Sequence, residues 1–388
     1  MPRAEQNSQP RGLLLLVMGA KGAVGSTVAA AVAAMGRNPA QVLPWLTTGH
    51  RLQGLGPAGP VGFAGWDSRQ GNLQEALRHH GVIPEPLWMP HEEELGGMRV
   101  LPAPEGPLRE QVEILRRQLD WLLKEHPGAS PVMVDLLPAC PASPWPRCES
   151  LEELLALEEA PVPPDLAYAV AAVRSGVPFV NFTSNHVEHP LLVGEAASAG
   201  VPMCGRDGKT GQTFFKVVLA SALRARNLRV DGWYSLNILG NEDGKNLSDP
   251  SRASSKLANK TRVLEDVLGY PVEGPQGEAC HGVHIAYYPP RGDAKEAWDV
   301  IDFSGIFGLP MSLRLNLMAR DSVLAAPLVV DLARWMAGLK KAGRSGLIPE
   351  LGFYFKKPLG EGAPRTFEEQ LQALRILQEQ CSGTGGLP

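Results

Sequence analysis

The first half of the chain alternates short apolar runs with segments of helical character. Residues 13–18 are apolar at every position, as expected of a strand that is buried on both faces of a parallel sheet. A glycine-containing turn follows, and then an alanine-rich segment, typical of a helix, that ends near Met35. Further strands are expected at 131–137 and 177–183, with a helix over 165–176 before the second. Between these elements we interpret four proline clusters as loops: 84–90, 102–107, 138–146 and 161–164.

The second half has a different pattern, with helices and strands in succession. The expected helices are 212–226, 250–268 and an apolar one from Asp321 to Leu339, and the expected strands are 229–239, 283–288, 298–307 and 311–317. Successive strands indicate a mixed or antiparallel sheet. We therefore predict an α/β protein in which a Rossmann-like domain, residues 12–205 and 321–388, is interrupted by an α+β domain, residues 206–320. Residues 1–11 are expected to be a disordered leader.

Composition and charge restrict the class of protein. A net charge of −4 gives no reason to expect nucleic acid or an acidic membrane as partner. The sequence has no run of ~20 apolar residues that would span a membrane. Its five cysteines show no CxxC spacing, which argues against a cysteine zinc site and fits a reducing, cytoplasmic compartment. We assign no metal site, because His186 and His189 have no further ligand at a suitable spacing.

The first loop carries glycines at 19, 22 and 25, between an apolar strand and a helix. This arrangement is typical of a loop that holds the pyrophosphate of a dinucleotide, since glycine allows close backbone approach and the helix start supplies free N–H groups. The pattern departs from GxGxxG, because Ala20 and Lys21 stand where its second glycine would be. Asp67 is a candidate for the ribose hydroxyls, although it lies farther along than the usual ~20 residues.

Four sequence blocks of the second half occur together in a recognisable order. They are residues 207–213 (Asp-Gly-Lys-Thr-Gly-Gln-Thr), 237–248 (Asn-Ile-Leu-Gly-Asn-Glu-Asp-Gly-Lys-Asn-Leu-Ser), 292–295 (Gly-Asp-Ala-Lys) and 321–327 (Asp-Ser-Val-Leu-Ala-Ala-Pro). With 181–184 and 355–359, they make the chain resemble the myo-inositol-1-phosphate synthase family. The resemblance implies a homotetrameric isomerase with bound NAD, whose 206–320 domain carries catalysis and tetramerisation. Such an enzyme converts glucose 6-phosphate to inositol phosphate by oxidation, enolisation, aldol closure and re-reduction.

The resemblance also assigns roles to individual residues. The catalytic set is Lys256, Lys260, Lys295, Lys356, Asp243, Asp293 and Asp321. The substrate phosphate falls to Thr210, Gly211, Gln212 and Thr213, together with Lys260. The cofactor-binding set is Gly19, Gly22, Ala23, Val24, Gly25, Asp67, Thr183, Asp207, Asn237, Asn241, Glu242, Gly292 and Ser322. Lysines suit this chemistry, because proton transfer needs a base and an enolate or aldolate needs a nearby cation.

Three charged residues depart from the family pattern and leave alternatives open. Lys21 in the glycine loop keeps NADP possible beside NAD, Glu242 adds a negative charge expected near the nicotinamide, and Arg320 reverses a charge near the site. The exact sugar therefore stays open. One alternative is a carbocyclase that makes a five-membered ring from fructose 6-phosphate or another ketose phosphate. Another is a simple NAD(P)-dependent dehydrogenase, and the ion requirement is also open.

Overall fold

The computed structural model describes residues 12–50, 59–141, 144–157, 162–247 and 262–382. The expected leader, 1–11, and the lysines at 256 and 260 lie outside these ranges. The strands are β1 (Leu13–Met18), β2 (Val61–Asp67), β3 (Arg99–Pro102), β4 (Ser130–Asp135), β5 (Phe179–Asn181), β6 (Pro202–Gly205), β7 (Arg229–Leu239), β8 (His281–Tyr287), β9 (Ala294–Ser304), β10 (Pro310–Arg320) and β11 (Gly346–Leu347). The helices are α1 (Ala23–Arg37), α2 (Thr47–His50), α3 (Leu73–His80), α4 (Glu85–Trp88), α5 (Glu92–Gly97), α6 (Leu108–Glu125), α7 (Leu151–Leu155), α8 (Leu166–Arg174), α9 (Pro190–Ser198), α10 (Gln212–Ala225), α11 (Glu242–Leu247), α12 (262–268), α13 (Asp321–Lys341) and α14 (Phe367–Ser382).

The larger sheet is parallel and has the order β11-β6-β5-β4-β1-β2-β3 among the described residues. β1 lies between β2 and β4, with Leu13 opposite both Val61 and Ser130, and all six of its residues are buried. Helices cover both faces, as an all-parallel sheet requires. The prediction of an α/β fold with a Rossmann-like sheet is therefore confirmed.

Helix α13 is the central helix on one face of this sheet. It packs against α1 and contributes Val329, Leu332 and Trp335 to the core. It has 21 residues and a mean hydropathy of 1.4, which would suffice to cross a membrane, but 67% of that apolar window is buried within the fold. Its apolar surface is thus used in the protein core.

The smaller sheet has the order β10-β9-β7-β8 and is mixed, because β7 and β8 run parallel while the other pairs are antiparallel. Helices α10 and α12 cover one face, where Val217, Trp233, Leu264 and Ile301 form a core. β9 begins at Ala294, earlier than the pattern indicated, because its first residues pair with the end of β10. Lys295 is therefore a strand residue.

Two features of the parallel sheet differ from the sequence-based expectation. The strands β2, β3, β6 and β11 were not predicted, since each contains glycine or proline, which are typical of loops. The proline cluster 84–90 is mostly helical rather than a loop. Its prolines occupy the first turns of short helices, where a missing backbone N–H costs nothing.

Candidate active site

The glycine loop after β1 has the backbone shape that a dinucleotide loop needs. Gly19 has φ +75°, a left-handed conformation that glycine adopts without strain, and Gly22 precedes helix α1 as its N-cap. A Cβ on Gly25 would lie 2.3 Å from the Gly19 carbonyl oxygen, so only glycine allows the helix to start this close to the loop. Ala23, Val24 and Gly25 form the first turn of α1. The loop is therefore a cradle suited to a pyrophosphate.

Asp67 is the last residue of β2, the strand next to β1. Its carboxylate accepts the Lys21 N–H at 2.7 Å and the Arg69 N–H at 2.8 Å, and the residue is buried. The end of this strand is where an acidic residue meets the cofactor ribose in a dinucleotide fold. The spacing in sequence is long because residues 38–60, which include α2, intervene between α1 and β2.

Glu242, at the start of α11, reaches the loop that follows Asp67. Its carboxylate pairs with the Arg69 guanidinium and accepts a hydrogen bond from His79 Nε2 at 3.0 Å. These two hydrogen bonds lower the pKa of Glu242 to about 2, and the one from Arg69 has the larger effect. Its contact with Arg69 places this carboxylate close to the end of β2, near Asp67.

Lys295 and Asp321 form the first of two lysine–carboxylate pairs. Lys295 Nζ, on β9, lies 2.9 Å from Asp321 Oδ2 at the start of α13. The second oxygen of Asp321 accepts a hydrogen bond from the Thr210 hydroxyl at 3.1 Å. Three predicted site residues from distant parts of the chain therefore meet where β9, α13 and the loop before α10 converge.

Lys356 and Asp207 form the second pair, with 2.6 Å between Nζ and Oδ1. The backbone holds them together. The Lys356 N–H donates to the Asp207 carbonyl oxygen at 2.7 Å, and the Lys209 N–H donates to the Tyr354 carbonyl oxygen at 2.8 Å. Asp207 has φ 63°, a conformation that aspartate tolerates better than most residues. Its N–H donates to the Thr183 carbonyl at 2.8 Å, which places the pair beyond the ends of β5 and β6.

Asp293 is at the centre of a third group of predicted residues. Asn241 Nδ2 donates to its Oδ1 at 3.2 Å, and the Ser322 hydroxyl donates to the same oxygen at 3.4 Å. Burial raises the pKa of the Asp293 carboxyl above its ordinary value, against the effect of the Asn241 hydrogen bond. Gly292, with φ +53°, allows the chain to turn into Asp293.

The predicted phosphate loop opens helix α10, which begins at Gln212 with Gly211 as its N-cap. The Gln212 side chain turns inward and donates to Asp299 Oδ2 at 2.9 Å, and Thr213 is buried. The Thr210 hydroxyl is bound to Asp321. The groups of this loop that suit a phosphate are therefore mainly the backbone N–H groups of the first helical turn.

Asp299, on β9, is a buried residue that sequence reasoning missed. Besides the Gln212 amide, it accepts a hydrogen bond from Trp233 Nε1 at 2.8 Å. Lys216 lies in the same interior region, donates to His281 Nε2 at 2.9 Å and has its pKa lowered to about 8 by burial. Both polar residues alternate with apolar neighbours, a pattern equally typical of a solvated strand or helix face.

A pair of buried acids at the carboxyl edge of the parallel sheet was also missed. Asp135 ends β4, and burial together with Asp165 raises its pKa well above the ordinary value. Burial raises the pKa of Asp165 to about 6, and Asn185 Nδ2 donates to it at 2.6 Å. An aspartate after an apolar run was the available signal for this pair.

The remaining predicted site residues are Asn237, Asp243, Lys256 and Lys260. Asn237 is buried on β7, with its Nδ2 group 3.5 Å from the His284 carbonyl. The side chain of Asp243 and all of Lys256 and Lys260 lie outside the described part of the structure. Arg320, which precedes Asp321, donates to the Val82 carbonyl at 3.0 Å rather than to a site residue.

Comparison with known proteins identifies the family. Residues 211–322 match the family model described as myo-inositol-1-phosphate synthase. Inositol-3-phosphate synthase 1 of Bacteroides thetaiotaomicron is 35% identical over 323 residues, which are 76% of this chain and 75% of that protein. Inositol-3-phosphate synthase 1 of Macaca fascicularis is 32% identical over 301 residues, 70% of this chain but only 53% of that protein. The solved inositol-3-phosphate synthase of Caenorhabditis elegans has the same fold, with a TM-score of 0.83 at 22% identity over 98% of this chain and 87% of that one. The chain therefore belongs to the inositol-3-phosphate synthase family.

Proposed function

We propose that this protein is an NAD-dependent inositol-phosphate synthase that converts glucose 6-phosphate to myo-inositol 1(3)-phosphate. The observation that carries the proposal is the convergence of two lysine–carboxylate pairs, Lys295–Asp321 and Lys356–Asp207, around the loop that opens α10. The second pair and the glycine loop after β1 both follow strand ends of the parallel sheet. Ligands of open parallel sheets bind at that edge.

The described residues fit a bound NAD. The glycine loop would hold the pyrophosphate, because a side chain at Gly25 would fill the cradle, and Asp67 would accept the ribose hydroxyls. The chemistry that bound NAD supplies is the acceptance of a hydride from a sugar carbon and its return later in the same turnover. Thr183, Asn237, Asn241, Gly292 and Ser322 remain proposed cofactor contacts.

The two pairs supply charge and protons to the sugar. A lysine held by a carboxylate can exchange a proton with a sugar hydroxyl or stabilise an oxyanion, according to its protonation state. We assign proton transfer at the oxidised and enolised carbons to Lys356, with Lys256, and stabilisation of oxyanions to Lys295. The first turn of α10, with Lys260, would bind the phosphate. Asp293 and Asp243 would orient these groups.

Product analysis tests the proposal directly. Incubation with NAD and glucose 6-phosphate should yield an inositol phosphate, identified by NMR, without net accumulation of NADH. Consumption of fructose 6-phosphate to a five-membered cyclitol phosphate, with glucose 6-phosphate untouched, would identify a related carbocyclase instead. NADH formed in proportion to product would identify a simple dehydrogenase.

We also propose that the mixed sheet assembles copies of this chain into a homotetramer. On the face away from α10, Tyr234, Trp298 and Met318 are 48%, 47% and 65% exposed. The turn between β9 and β10 exposes Ile306 and Phe307 almost fully. A large exposed apolar surface on a sheet that ends, among the described residues, in the long strand β10 is typical of an interface between subunits.

Charges placed on this face should break the assembly. The double variant Trp298→Glu and Met318→Glu is expected to elute as a smaller species than the wild type, because two carboxylates would be desolvated in the interface. Multi-angle light scattering should give about four times the 41.7 kDa chain mass for the wild type. Trp45→Glu, a change at a 78% exposed residue elsewhere, should leave the mass unchanged. A wild-type monomer would refute the proposal.

A further inference from the structure

Glu242 connects the mixed-sheet part of the molecule to the candidate ribose site. It begins α11, shortly after β7 of the mixed sheet. Its carboxylate nevertheless pairs with Arg69, two residues after Asp67, which is the last residue of β2 in the parallel sheet. His79, at the end of α3, donates to the other carboxylate oxygen at 3.0 Å. Lys21 Nζ donates to the Arg69 carbonyl at 2.6 Å, so a second cation lies close by.

The residues around Asp67 combine features of NAD-binding sites and of NADP-binding sites. An acidic residue at the end of the second strand accepts the ribose hydroxyls of NAD, whereas a nearby arginine accommodates the 2′-phosphate of NADP. Arg69 is in the position of such an arginine, and Lys21 would add to its attraction for a phosphate. If Glu242 were absent, Arg69 and Lys21 would offset part of the repulsion between Asp67 and a 2′-phosphate.

Glu242 changes this balance through charge and through hydrogen bonding. It binds Nη2 of Arg69, so the guanidinium is no longer free to bind a phosphate bidentately. Its own negative charge would also repel a phosphate dianion beside the ribose. The arginine and His79 keep Glu242 ionised, because they lower its pKa to about 2.

We propose that Glu242 makes the cofactor site selective for NAD over NADP, by holding the Arg69 guanidinium away from a 2′-phosphate and by repelling that phosphate. The inference rests on the proposed function, because it takes the glycine loop and Asp67 as a dinucleotide site. It assigns specificity to a residue outside the parallel sheet.

The test measures dissociation constants of NAD and NADP for the whole protein by titration calorimetry, without sugar. Wild type should bind NAD more tightly than NADP. Glu242→Gln, which keeps the shape and removes the charge, should tighten NADP binding about tenfold or more and leave NAD binding within about twofold. Adding Arg69→Gln to this variant should abolish the tighter binding of NADP, because the guanidinium that would bind the 2′-phosphate is then absent.

Glu85→Gln is the matched control. Glu85 is as exposed as Glu242, 51% against 52%, and also pairs with an arginine, Arg78, at 3.0 Å. Glu85→Gln should change the dissociation constant of neither NAD nor NADP. Equal binding of NAD and NADP by the wild type, or unchanged NADP binding by Glu242→Gln, would overturn the inference and leave the NAD site intact. No binding of either dinucleotide would overturn the proposed function itself, and this inference with it.

Discussion

Replacement of Lys356 by methionine is expected to lower the rate of inositol-phosphate formation by about a thousandfold. Lys356 Nζ contacts Asp207 Oδ1 at 2.6 Å, and methionine keeps most of the side-chain length while removing the proton donor and the charge. Asp207 also loses its Lys356 partner in a buried position, so the net charge of the pair changes from zero to −1. The measurement is the initial rate of product formation by NMR or mass spectrometry at saturating glucose 6-phosphate.

Two further measurements distinguish a catalytic role of Lys356 from a role in folding or cofactor binding. NAD binding should be retained, because the backbone contacts between 205–209 and 354–359 do not involve the Lys356 side chain. The melting temperature should fall, because Asp207 loses its Lys356 partner in a buried position. Lys341→Met, at an exposed lysine at the end of α13, should keep full activity. Full activity of Lys356→Met would show that the reacting centre lies elsewhere.

Replacement of Gly25 by alanine is expected to abolish NAD binding and to destabilise the protein by roughly 3 kcal/mol. The new Cβ would lie 2.3 Å from the Gly19 carbonyl oxygen and 2.8 Å from Ala20 backbone atoms. These atoms belong to the loop itself and cannot move away as a flexible side chain would. The loop must therefore open, and the N–H groups that would face the pyrophosphate lose their arrangement. Titration with NAD and thermal unfolding monitor the two effects.

Gly36→Ala provides the comparison within the same helix. A Cβ at Gly36 would meet nothing within 4 Å, so alanine should stabilise α1 by about 0.5–1 kcal/mol through its higher helix propensity. NAD binding should be unchanged in this variant. If Gly25→Ala bound NAD as the wild type does, the glycine loop would have to be rejected as the cofactor cradle.

The lysine and carboxylate residues of the candidate site could be proposed from sequence because their local blocks are distinctive. The blocks around Asp207, Lys295, Asp321 and Lys356 occur in one order, and the structure brings these four residues together in pairs. The lysines at 256 and 260 belong to the same prediction but lie outside the described residues. Sequence order does not say which carboxylate meets which lysine, since partners are up to 149 positions apart.

Buried polar residues without a local pattern escaped prediction. Asp299 lies on a strand that alternates polar and apolar residues, and only the packing of α10 on β9 reveals that it binds Gln212 inside the protein. The same is true of Asp135 and Asp165, which come together because β4 and α8 meet at one edge of the sheet. Burial is a property of the assembled elements and has no direct signature in a short segment.

The sequence by itself determined the α/β class, the strand–glycine–helix loop and the family, because periodicity, glycine spacing and ordered blocks are local features of the chain. Only the tertiary structure decided that Asp67 ends the strand beside the glycine loop, that Lys356 meets Asp207, and that Glu242 reaches Arg69 across the molecule. The reason is physical. These contacts join segments far apart in the chain, and they form only when sheet order and helix packing bring the segments together.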